Sequence, residues 1–166
     1  MGGRLRAAVP MVTALLAALV DLLPVLRVGP TGVAPLATLC VTFFWSLHRP
    51  DLFGAGAAFA AGLAHDILAG LPLGLTSLIL LLVRHVVVVQ HRFFGARSFT
   101  VVWCCFVLMA IAAVTLRWLL ACLWWGRFFA PEPLAIELLL TLAFYPLATL
   151  LLARVHHRIG RLAHAS

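Results

Sequence analysis

Charge is scarce in this chain. Only 10% of its 166 residues are charged, against about a quarter in an average soluble domain, which excludes a surface wholly covered by water. Lysine is missing: all 12 basic residues are arginine, and there is no phosphate-binding loop. The G-x-S-x-G and H-E-x-x-H patterns are absent as well, which removes those hydrolase and metalloprotease signatures. The four cysteines, Cys40, Cys104, Cys105 and Cys122, show no C-x-x-C spacing and stand inside apolar runs. They read as small packing or lipid-facing residues. No cofactor, no metal and no catalytic group is indicated by any motif, so a non-enzymatic role is expected.

Apolar sequence is what the chain has in quantity. Its hydrophobic fraction is 64% and its mean hydropathy +1.13, values of an integral membrane protein. A spanning helix takes roughly 20 residues, so this length holds about six and leaves no room for a separate soluble domain. The predicted fold is a single all-α membrane domain over residues 1–166, a six-helix transmembrane bundle. Its spans fall at about 7–26, 33–47, 52–69, 72–89, 100–125 and 133–153 by the length rule. The charged-then-apolar start resembles a signal peptide, but Asp21 and Pro24 stand where a cleavage site belongs, so an uncleaved first span is expected.

Arginine placement sets the orientation. Arg4, Arg6, Arg49, Arg92, Arg97, Arg154, Arg158 and Arg161 fall on one side, and mainly Arg27 and Arg127 on the other. By the positive-inside rule both termini are cytoplasmic. The same rule explains the pI of about 11.0 without nucleic acid, for which no basic face interleaved with aromatics is present. Trp45 and Trp103 are expected near the inner interface, and Trp118, Trp124 and Trp125 near the outer one. The tail with His156 and His157 reads as a basic interfacial segment able to touch anionic lipid. Arg84 interrupts the fourth span and is expected to snorkel inward or face a neighbour.

The third span carries the most specific pattern. Gly54, Ala58 and Gly62 recur every four residues, and Asp66 and Gly70 continue the row. Small residues at this spacing let helices approach closely, so this face should lie against another helix. Gly70, Pro72, Leu73 and Gly74 form the following corner, with Pro72 suited to the first turn of the fourth span. Asp66 is costly in a membrane and needs a partner. Asp21, Arg117 and Glu137 lie at similar depth, and Asp66 is expected to pair with Arg117, Glu137 competing or sharing. The charged set reads either as an ion or substrate site or as a structural clamp.

These stretches resemble the MreD family, small polytopic rod-shape-determining proteins of bacteria. The likeness rests on "FFWSLHRPD", on Gly62-x3-Asp66-x3-Gly70 followed by "LPLG", and on "FYPLATLLLARVHHR" with Pro146 after an aromatic. It implies a non-catalytic scaffold of the inner membrane that binds MreC. It further implies a place in the elongation complex with MreB, RodA and a penicillin-binding transpeptidase, helping to organise peptidoglycan synthesis. The family also resembles the six-helix solute-binding components of energy-coupling-factor transporters, which implies the alternative of a small-solute binder. Against that stands the single tyrosine of this chain; such a site wants a polar, aromatic-lined pocket.

Overall fold

In the computed structural model the described residues are 2–23, 34–94 and 99–164, with side chains over 8–23, 34–90 and 100–154. They form α1 (Gly2–Val20), α2 (Ala37–His48), α3 (Ala55–Ala69), α4 (Leu75–Phe94), α5 (Phe99–Trp125) and α6 (Glu132–His164). Arg27, Arg92, Arg97 and the loop at 27–32 lie outside the described residues or their side chains, as do the side chains of Arg4, Arg6, His156, His157, Arg158 and Arg161.

Local chemistry sets the helix ends. Pro50 disfavours the helical region for the residue before it, and α2 stops at Arg49, whose φ is −147°. α3 closes on Gly70 with φ 66°, and the amides of Gly70 and Leu71 both donate to the Asp66 carbonyl. A residue with a Cβ resists that left-handed cap. Pro72 does not occupy the first turn of α4. It stays in the corner, its carbonyl accepting from Leu75 N at 3.2 Å, and α4 begins after Gly74.

α2 is the central helix. Every residue from Ala37 to Leu47 is buried, against α1, α4 and α6, while α3 packs on α1 and α4, and α5 on α4 and α6. An aromatic cluster ties α2 to α5 and α6: Tyr145 stacks on Phe106 at 3.9 Å, and Phe43 meets both edge-on. Trp45 belongs to this interior and not to an interfacial belt. It is 1% exposed, and its indole N–H donates to Thr13 Oγ1 on α1 at 2.9 Å. Trp103, Trp124 and Trp125 are exposed.

The helices differ in reach. Thr100–Trp125 and Glu132–Arg154 are long and apolar enough to cross a membrane. α2 has 12 residues and α3 has 15, roughly 18 and 22 Å at 1.5 Å per residue, short of a hydrocarbon core of about 30 Å. Full sequence-predicted spans at 33–47 and 52–69 therefore include non-helical backbone, whose polar groups need partners from the protein itself.

Candidate functional site: carboxylates and an ion pair at one end of the bundle

Asp66 sits in the last turn of α3 and is fully buried. Its carboxylate accepts from Gly74 N at 2.9 Å and from Thr76 N at 3.1 Å, which are amides at the start of α4. The first amides of a helix have no intrahelical acceptor, and a negative group there also meets the positive end of the helix dipole. The row Gly62-x3-Asp66-x3-Gly70 thus builds a hairpin in which the incoming helix caps the outgoing one.

Asp21 repeats the device one hairpin earlier. Just past α1 it accepts from Ala37 N at 2.6 Å, Thr38 N at 3.2 Å and the Thr38 hydroxyl at 2.6 Å. The next free amide of α2, Leu36 N, donates to Thr141 Oγ1 of α6 at 3.1 Å. His65 joins the two caps, with Nδ1 3.4 Å from Thr76 Oγ1 and Nε2 3.8 Å from Asp21 Oδ2. A buried polar chain therefore runs from α2 through α1 and α3 to α4. Sequence reasoning missed Thr38, Thr76, Thr141 and His65. The available signal was the threonine that follows a proline after each acid, in Pro35-Leu-Ala-Thr38 and in Pro72-Leu-Gly-Leu-Thr76.

The expected Asp66–Arg117 pair does not form. Arg117 of α5 donates instead to Glu137 of α6, and Asp66 is taken up by the α4 amides. The physical reason is position around the helix: depth along the axis puts all three groups at one level, but α5 makes its main contacts with α6 and α4, so Glu137 on α6 is the carboxylate that Arg117 meets. Arg84 also has a partner, its Nε donating to the Phe53 carbonyl at 2.8 Å, a backbone group in the α2–α3 connection.

Of the small-residue row, Ala58 and Gly62 are buried, whereas Gly54 is the exposed residue before α3 with open space around its Cα. Gly62 faces Ser77 of α4 so closely that a Cβ would lie 2.4 Å from Ser77 Cα. Leu73 is exposed at the corner. Pro146 is exposed on α6, where it withholds an amide from the helix. Among the described residues no three His, Cys, Asp or Glu side chains come together as metal ligands.

A family model for the rod shape-determining protein MreD matches residues 3–155, nearly the whole chain. The chain belongs to the MreD family. Comparison with curated proteins and comparison with solved structures each gave no match. MreD proteins are membrane proteins of the rod-shape system, and this solvent gives the caps their meaning. Backbone amides left bare in hydrocarbon cost several kcal/mol each, so α2 and α4 of this MreD-family chain can begin inside the bundle only because Asp21, Thr141 and Asp66 receive their amides.

Proposed function

We propose that this MreD-family chain is a non-catalytic, multi-pass scaffold of the bacterial inner membrane, a single six-span domain that binds MreC. Through MreC it joins MreB, RodA and the penicillin-binding transpeptidase, and so helps to organise peptidoglycan synthesis. The family match over residues 3–155 carries the reading. The geometry of the acids supports it. Helix N-termini inside membrane proteins are ready-made anion sites that transporters turn toward substrate. Here the N-termini of α2 and α4 are already filled by the chain's own Asp21 and Asp66. The solute-binding alternative is without support from any solved structure.

The test is recovery of MreC. Co-expressed MreC is expected to co-purify with the tagged chain in mild detergent and to crosslink to it in the membrane. Recovery no better than with an unrelated polytopic protein would overturn the assignment.

Topology is tested separately. Arg49 and Arg154 are exposed at one end of the bundle and Arg127 at the other, and with the remaining arginines of the sequence this favours cytoplasmic termini. Cysteines placed at Gly2 and Ser166 are expected to resist a membrane-impermeant reagent in intact cells. Labelling of either from the periplasm would reject the even-span arrangement.

A further inference from the structure

We propose that the cleft between the α5–α6 turn and the α3–α4 corner binds the phosphate headgroup of an anionic membrane lipid. The cleft holds about 650 Å³, within the range of small-ligand sites. Arg127 stands at its mouth, and Trp118, Trp125, Leu71 and Leu134 form apolar walls. Deeper in, Arg117 is neutralised by Glu137. Arg127 makes no ion pair among the described residues and only lies over the Phe129 ring, 4.7 Å from its centroid. The lining therefore carries one unbalanced positive charge at the mouth, between apolar walls and above a neutral ion pair.

Depth selects a lipid as the occupant. The apolar stretch Thr100–Trp125 has 26 residues, roughly 39 Å of helix against a hydrocarbon core of about 30 Å. Its last turn and Arg127 beyond it thus reach the level of the headgroups, while Trp118, seven residues back, lies roughly 10 Å deeper. A charge at the mouth and apolar walls below repeat the order of a phospholipid, phosphate above and acyl chain beneath. A free anion would use Arg127 and leave the walls empty.

The experiment is native mass spectrometry of the purified chain in detergent, titrated with phosphatidylglycerol, phosphatidylcholine or inorganic phosphate. Phosphatidylglycerol is expected to bind about fivefold more tightly than phosphatidylcholine, the gain one basic residue gives at an anionic surface. Arg127→Gln should abolish that preference, and Arg154→Gln, altered at the opposite end, should retain it. Ala121→Trp keeps both arginines but fills the cleft, so it should remove binding of both lipids at this site. Excess inorganic phosphate should not displace the lipid. Equal binding of the two lipids by the unaltered chain, an undiminished preference in Arg127→Gln, or undiminished binding in Ala121→Trp would overturn the proposal. Complete displacement by inorganic phosphate would overturn it too, by making this a free-anion site.

Discussion

Gly62→Leu is expected to leave little folded protein, whereas Gly56→Ala, six residues earlier on the same helix, is expected to fold normally. A Cβ at Gly62 would sit 2.4 Å from Ser77 Cα and 2.5 Å from Ser77 N. Both atoms are backbone, so no rotamer change relieves the clash and α3 must separate from α4. Overpacking of a core costs ~1–3 kcal/mol where side chains can give way; with only backbone to move, ~3 kcal/mol or more is expected. Gly56 has nothing within 4 Å of its would-be Cβ, and alanine there gains up to ~1 kcal/mol of helix propensity. Thermal melts and size-exclusion profiles in detergent measure the contrast, with Ala57→Leu, at a half-buried position, falling between the two. Matching melts for Gly62→Leu and Gly56→Ala would refute the close crossing. Because the Gly62 face is filled by α4 of the same chain, any loss of MreC should follow loss of folded protein. A well-folded Gly62→Leu variant that fails to recover MreC would instead make this face a partner surface.

Arg117→Gln and Glu137→Gln are each expected to destabilise the bundle strongly, and the two together by less than their sum. Glu137 is buried, its side chain 7% exposed, with Arg117 at 24%. Removing one member of such a pair strands the other charge, at ~3–5 kcal/mol, while removing both leaves neutral groups. The coupling between directly paired side chains is typically ~0.5–3 kcal/mol. Arg117→Gln combined with Asp66→Asn is expected to be additive, because Asp66 spends its carboxylate on Gly74 N and Thr76 N. Melting of the single and double variants in one detergent decides between these partners. Strong coupling of Arg117 to Asp66, with none to Glu137, would contradict the observed pairing.

Local rules made part of this architecture legible. Gly70 ends α3 because a left-handed cap follows Asp66, and Gly126 has the same hand, φ 62°, just past α5. Both could be read from glycine standing after an apolar run. The spacing of Ala58 and Gly62 marked a face for close approach, since only small residues bring helix backbones together. Composition fixed the solvent, and with it the need of Asp21, Asp66, Arg117 and Glu137 for partners. The family was legible in the corner after Asp66 and in the last span, and the match over residues 3–155 agrees.

Tertiary structure alone decided which partner each group takes. Residue spacing at 1.5 Å per residue gives depth, and depth put Asp66, Arg117 and Glu137 at one level. Their directions around the bundle depend on which helices touch, and α5 lies on α6 and α4. The same limit hid α2. Its apolar residues are buried to the last one between Ala37 and Leu47, while the equally apolar Leu123 and Trp124 of α5 face outward at 80% and 71% exposure. In water, apolar means inside. In a bilayer the lipid is as apolar as the core, so hydropathy cannot separate Trp45 from Trp124, and only the packed helices assign one to the interior and the other to the outer surface of the bundle.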